Sequence, residues 1–171
     1  MLKQAGVILV TTLIFIFIMS LLALACMELA ILQTKMSQND DQRRQTFAAA
    51  EAGLKLAEQA IVDNQPLPCI KPLSSTDLPT KPLSFWQQQC QAQFPYAKVY
   101  FVAEKLAYAP CCDITGLGKR KLTFYRLSSY AKINSAQTLL QTTFAHPSAI
   151  KCSKALNQKL LLGRLSWSQL A

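Results

Sequence analysis

The stretch from residue 4 to residue 27 contains no charged side chain, and no other feature constrains the chain as strongly. As an α-helix, this stretch spans roughly 36 Å, which exceeds the hydrocarbon core of a bilayer at about 30 Å. Lipid offers no hydrogen-bond partner to backbone groups, so a single segment can cross it only as a helix. The stretch therefore predicts a membrane-spanning helix.

A cleaved secretory signal is the main alternative for this stretch. Such a signal has a shorter apolar core, about 7–15 residues, and ends at a site of small residues. The sequence Ala-Leu-Ala at 23–25 resembles such a site. The apolar pattern nevertheless continues to Leu32, which favours an anchor that is retained.

Charge and cysteine content separate the two ends of the chain. Residues 1–63 hold five Lys or Arg and six Asp or Glu, a net charge of −1, whereas residues 64–171 hold thirteen and three, a net charge of +10. A basic head favours acidic partners or anionic surfaces. Five of the six cysteines follow the apolar stretch, which indicates an oxidising compartment. We therefore expect a cytoplasmic N-terminus and a head outside the cytoplasm.

Residues 46–62 are rich in strong helix formers. Apolar residues recur there at steps of three and four and form one stripe: Phe47, Ala50, Leu54, Ala57 and Ile61. Gly53 costs roughly 1 kcal/mol relative to Ala in a helix, so we expect it to lie at a close packing contact. The pattern predicts one helix over about residues 5–63, ended by Pro66 and Pro68.

The remaining residues predict a small sheet. Residues 64–95 are rich in proline and indicate a linker, with a short helix around 84–91. Strand patterns follow, separated by turn signals such as Asn134-Ser135, at residues 97–106, 122–133, 136–144 and 160–167. Sequential strands with short turns predict an antiparallel meander. We expect an α+β fold, in which a long N-terminal helix, membrane-spanning in its first half, packs by its C-terminal half against this sheet.

Three segments together suggest a family. Residues 3–6 are Lys-Gln-Ala-Gly, directly followed by Val-Ile-Leu-Val, like a short basic leader that ends at a prepilin peptidase site. Residues 36–58 contain Phe-Ala-Ala-Ala-Glu-Ala-Gly-Leu at 47–54, and residues 124–143 look like a final hairpin. In this order the segments resemble the type IV pilin superfamily and, within it, the PilX-type minor pilins.

The resemblance implies how the chain is divided. Residues 1–6 would be a prepilin leader, 7–32 the transmembrane or filament-core helix, and 33–63 the continuing helix that packs on the head. Residues 64–95 would be the linker region and 96–171 the sheet of the head. Cleavage would follow Gly6 and leave Val7 as the N-methylated mature terminus.

Thr11 departs from the family pattern. It is the fifth residue after the implied cleavage, where most pilins have a Glu that pairs with the terminal amine of the subunit ahead. An unpaired carboxylate in an apolar bundle costs several kcal/mol, so this pair sets the register of subunits. Because Thr11 forms no such pair, we hypothesise that this subunit enters first, at or near the filament tip.

The resemblance also implies partners and location. A structural minor pilin that primes assembly would contact other minor and major pilins, the prepilin peptidase and a tip adhesin. It would lie in the inner membrane before assembly and in the pilus afterwards. Alternatives are a pseudopilin of a type II secretion system, a minor pilin for DNA uptake, and a membrane-tethered thiol oxidoreductase.

The head cysteines permit at most two internal disulfides and one free thiol: Cys69, Cys90, Cys111, Cys112 and Cys152. We expect Cys69 or Cys90 to tether the linker, and Cys111 or Cys112 to pair with Cys152. Adjacent cysteines lack the CxxC spacing of redox sites, which favours structural pairing over redox chemistry.

Catalytic chemistry has little support in the sequence. The single histidine, His146, precedes Pro147 and is predicted to lie in a surface turn, with no paired cysteines to complete a metal site. We expect no metal, no cofactor and no enzyme activity. The basic run Lys119, Arg120 and Lys121 could contact DNA phosphates, although a solvated loop or a lysine-protected edge strand is favoured.

Overall fold

The computed structural model describes residues 5–63, 69, 75–106, 110–114, 117–153 and 162–170. Helix α1 runs from Ala5 to Val62, which confirms the single long helix expected from the sequence; Pro66 and Pro68 lie outside the described residues. The chain divides into two compact units, of which the first ends at Asp41. In that unit every side chain from Ile8 to Asp41 is exposed.

The second unit begins at Gln42 and contains the rest of α1 together with an antiparallel sheet. A 3-10 helix (Ser75–Thr80) and the short helix α2 (Leu83–Gln87) precede the strands. The described strands are β1 (Cys90–Gln93), β2 (Lys98–Lys105), β3 (Cys111–Ile114), β4 (Gly118–Ile133), β5 (Ala136–Lys151) and β6 (Gly163–Gln169). The expected α+β class is confirmed.

The sheet is built around the long hairpin of β4 and β5. The predicted turn at Asn134-Ser135 is confirmed, and Asn134 takes the left-handed backbone conformation, with φ 51°, that Asn tolerates better than most residues. The strand order is β1-β2-β4-β5-β6. Register across the hairpin runs from Ile133 opposite Ala136 to Leu122 opposite Pro147.

Strand β3 interrupts the expected meander, and on this point the prediction is wrong. Both β2 and β3 pair with the same side of β4, β2 along its second half and β3 along residues 118–121. The sequence pattern predicts neither β1 nor β3, each of which has only four residues. Four residues are too few to give a clear alternation, and their pairing is decided by neighbouring strands rather than by intrinsic preference.

The limits of the longer strands also differ from the prediction. β4 begins four residues earlier than residue 122, and β5 continues seven residues past residue 144. His146 and Pro147 therefore lie in a strand, and their predicted placement in a surface turn is wrong. Ala145 is the last residue of β5 that pairs with β6, and Pro147 lies beyond it. The missing N–H of Pro147 therefore removes no described hydrogen bond between β5 and β6.

The main core lies between α1 and one face of the sheet. Ala50, Leu54 and Ala57 are fully buried, and the sheet residues packed with them include Leu127 and Leu140. The predicted apolar stripe is thereby confirmed. Burial of a leucine-sized side chain stabilises a fold by about 1.5–3 kcal/mol, so these contacts fix α1 on the sheet.

Aromatic residues cover part of the opposite face of the sheet. Trp86 of α2 is buried and stacks on Tyr130 of β4, with ring centroids 5.3 Å apart. Leu78 and Tyr100 belong to the same cluster. The described part of the proline-rich region thus packs on the head instead of standing free of it.

Gly53 lies where α1 approaches the sheet most closely. A Cβ atom at this position would lie 2.5 Å from both Val99 Cγ1 and Ser129 Oγ. The serine hydroxyl can rotate away, but the β-branched valine has little rotamer freedom. The expectation of close packing at Gly53 is confirmed.

Gly53→Ala should therefore destabilise the protein although alanine is the better helix former. Alanine gains about 1 kcal/mol of helix propensity, whereas overpacking costs about 1–3 kcal/mol and two simultaneous clashes place the cost at the upper end. The measurement is denaturant unfolding of the full chain in detergent, with exposed Gln59→Ala as the control. An unchanged or raised unfolding midpoint would contradict the close contact.

Candidate functional site

The exposed first part of α1 is the most conspicuous surface of the described chain. It is the one described helix that is long and apolar enough to cross a membrane, as judged by length and composition. Side chains such as Leu9 and Ile16 are about two-thirds exposed. An apolar surface of this size needs lipid or protein to cover it.

Two threonine hydroxyls within this surface form hydrogen bonds to carbonyl groups of their own helix. The Thr11 hydroxyl donates to the Ile8 carbonyl at 2.9 Å, and the Thr12 hydroxyl donates to the Leu9 carbonyl at 2.9 Å. Neither side chain therefore requires a partner from another chain. Gly6 and Val7, the predicted cleavage site, lie in the first turn of α1.

Two disulfides join segments of the head that are distant in sequence. Cys69 bonds to Cys90 at the start of β1, and Cys111 at the start of β3 bonds to Cys152 just after β5. The bonded cysteines are 21 and 41 residues apart in sequence. Closing loops of these lengths stabilises a fold by about 3–4 kcal/mol each.

Cys112 is a free thiol inside the head. It alternates with Cys111 along β3 and is buried in a cluster with Leu122 and Phe124. Burial raises the pKa of the Cys112 thiol, so the unreactive protonated form dominates at neutral pH. This environment is typical of a structural cysteine rather than a redox nucleophile.

His146 stands opposite Thr123 in the β4–β5 ladder. Partial burial lowers the pKa of its imidazole, which therefore stays neutral at pH 7. Among the described residues, no three His, Cys, Asp or Glu side chains come together as a metal-binding group.

The predicted basic run lies at the start of β4. Lys119 stands opposite Asp113, and Lys121 opposite Cys111, whereas Arg120 stands opposite Lys151 of β5. The Arg120 Nε also donates to the Leu117 carbonyl at 3.2 Å. Because side chains alternate along a strand, Lys119 and Lys121 lie on one face of β4, whereas Arg120 lies on the other face beside Lys151.

Strand β6 is fastened to α1 by side chains far apart in sequence. Arg164 Nε donates to Glu58 Oε1 at 2.8 Å, and its Nη1 lies 3.8 Å from Glu51 Oε1. The rings of Phe47 and Trp167 meet edge to face with centroids 5.7 Å apart. The positive charge of Arg164 is thus balanced by carboxylates within the head. Sequence reasoning missed this contact because no local pattern connects residues more than a hundred positions apart.

A cleft of about 480 Å³ opens beside this contact. Its described lining residues come from α1, β5 and β6: Arg43, Arg44, Phe47, Gln137, Thr138 and Gln169. None of them carries a carboxylate. The lining offers guanidinium, amide and hydroxyl groups, which is a chemistry suited to an anionic side chain.

Comparison with known families identifies one match. Residues 5–55 match the family described as PilX N-terminal. The resemblance stated from the sequence is thereby confirmed over these residues, which include all of the exposed apolar surface and Gly53. No curated protein and no solved structure gives a significant match to the chain.

The environment of Cys112 predicts how its thiol reacts. In the full chain carrying Cys26→Ala, in detergent and without reductant, maleimide should label Cys112 at least about 100-fold more slowly in the folded than in the urea-unfolded protein, because burial excludes the reagent. Ser168→Cys on exposed β6 serves as the accessible control. Rapid labelling of Cys112 in the folded protein would instead indicate a reactive thiol.

Proposed function

The chain carries the PilX N-terminal region at residues 5–55, and on that premise we propose that it is a structural minor pilin of a type IV pilus. Its role is to occupy a place in the filament, not to catalyse a reaction. The apolar part of α1 anchors the subunit in the inner membrane and later packs among the helices of other pilins. The head lies outside the cytoplasm.

One observation carries this proposal: a single helix has two kinds of surface. From Ile8 to Leu32 its large apolar side chains are exposed on every side, while Ala50 and Leu54 are buried on the sheet. A helix that only stabilised a soluble head would not expose such a surface, because exposed apolar area favours aggregation. Transfer between lipid and a bundle of similar helices explains both surfaces.

The processing of the N-terminus tests the proposal. In cells that contain prepilin peptidase, the purified chain should begin at Val7 and carry an added methyl group. In cells that lack the peptidase it should retain residues 1–6. Intact-protein mass spectrometry distinguishes these forms. Cleavage after Ala25, with release of a soluble head, would contradict membrane retention and filament assembly.

Thr11 supports a position at or near the tip. Its hydroxyl is bonded within its own helix, so it offers no charge to the amine of a preceding subunit. The first subunit of a filament has no preceding amine to neutralise, and there the missing carboxylate costs nothing. At that position the subunit primes assembly and contacts other minor pilins and a tip adhesin.

Thr11→Glu should leave initiation almost unchanged and increase the number of these subunits along filament shafts. The new carboxylate would pair with the terminal amine of the preceding subunit, and such a pair is strong in apolar surroundings. Immunogold counting along sheared pili measures the change. Thr12→Glu, one position out of register, is the matched control. Abundant wild-type subunits throughout the shaft would contradict the tip placement.

Two related functions share parts of this structure. A type II secretion pseudopilin would use the same leader and helix, and the neighbouring genes distinguish it from a pilus subunit. The basic surface of Arg120 and Lys151, which stand opposite each other on neighbouring strands, favours a second candidate, DNA capture by the pilus. For that function, charge reversal at this surface must lower DNA binding and leave piliation intact.

A further inference from the structure

The outer edge of β6 is free in the described part of the chain. β6 pairs with β5 on one side, and no described strand pairs with its other side. An unpaired edge presents backbone N–H and C=O groups that can pair with a strand from another chain. The edge of β6 is thus a ready acceptor for an added strand.

Two hydrogen bonds indicate which backbone groups face outward. The Leu170 N–H donates to the Leu139 carbonyl at 2.8 Å, and the Ser166 carbonyl accepts from the Thr142 hydroxyl. Both groups therefore face β5. Because backbone groups alternate sides along an antiparallel strand, the N–H and C=O of Trp167 and Gln169 face away from it.

β6 lacks two of the devices that protect edge strands, proline and outward charge, and the bulge in its pairing with β5 lies at Leu165, before Trp167 and Gln169. Its sequence has no proline, and its single charged residue, Arg164, is turned inward to Glu58 and Glu51. Large apolar side chains on and next to the strand are instead 38–45% exposed: Leu165, Trp167 and Leu170. Natural edges carry outward charges or prolines to prevent strand addition, so this edge is suited to accept a partner.

The cleft beside β6 adds a chemical preference. Gln169, whose backbone faces outward, also lines the cleft, where Arg43 supplies a positive charge and no described lining residue supplies a negative one. Gln169 therefore brings the last residue of β6 to the cleft that the Arg43 side chain lines. Charge complementarity there favours an acidic side chain on the added strand.

We propose that the outer edge of β6 accepts an extended, partly apolar segment of another pilin subunit, and that an acidic side chain of that segment enters the cleft at Arg43. This inference rests on the proposed function, because it takes a filament subunit as the partner. A second copy of this chain is a poorer partner. β6 itself carries no carboxylate side chain, so pairing between two β6 strands would leave the cleft without its anion.

A proline substitution tests the backbone pairing. In Gln169→Pro the outward N–H is lost, whereas the bonds from β6 to β5 are kept, because proline is tolerated in an edge strand where its nitrogen faces solvent. Gln169→Ala removes the same side-chain amide and retains the N–H. A difference between these two variants therefore reports on strand addition.

A charge reversal tests the cleft independently of the fold of β6. Arg43 is exposed on α1, so Arg43→Glu should leave the head folded and repel an acidic side chain. Lys98→Glu, at an exposed position of β2, makes the same change in net charge on a strand that does not adjoin β6.

The readout is photo-crosslinking of the full chain in piliated cells, with p-benzoylphenylalanine in place of exposed Ser166. We expect an adduct with another pilin subunit, mapped by mass spectrometry to an extended segment that contains Asp or Glu. The yield should fall at least about five-fold in Gln169→Pro, through the lost hydrogen bond and the added ring, and in Arg43→Glu, but not in the two control variants.

Several results would overturn the inference: no adduct, an adduct of two copies of this chain, an adduct with a protein that is not a pilin, or equal yields in every variant. The N-terminal mass of the same samples separates this failure from that of the proposed function. A chain that begins at Val7 but forms no adduct refutes strand docking alone. A chain that is never trimmed after Gly6 refutes the pilin proposal itself.

Discussion

Burial of one face of α1 against the sheet is the contact on which the head depends. Ala50, Leu54 and Ala57 are fully buried there. Small residues in the helix let its backbone approach the strands, and Gly53 lies so close to Val99 that no side chain fits between them. Packing against the helix therefore stabilises the arrangement of the strands, and the strands determine which face of the helix is buried.

The other parts of the head are fastened by links of a different kind. Disulfides tie Cys69 to β1 and Cys111 to the end of β5, while Arg164 and Trp167 hold β6 to α1 through an ion pair and a ring contact. Such links suit a small head whose apolar clusters are limited in size, because a disulfide or an ion pair stabilises the fold without burying more apolar area. They also leave the outer side of β6 available.

In the proposed filament subunit, the helix and the head would have different tasks. The apolar part of α1 can distinguish between partners only through its length and the uncharged Thr11. Specific recognition therefore falls to the head, where charge and backbone groups can be arranged. The cleft at Arg43 and the free edge of β6 bring both kinds of group close together at Gln169.

The sequence by itself determined the long helix, its apolar stripe, the close contact at Gly53, the turn at Asn134 and the likeness to PilX-type pilins. Each of these follows from periodicity or from residues near one another in the chain. Only the tertiary structure decided that β2 and β3 pair with the same side of β4, that His146 lies in a strand, and that Arg164 contacts Glu58. Those contacts join distant residues through short strands, and their energies depend on neighbours that local patterns do not specify.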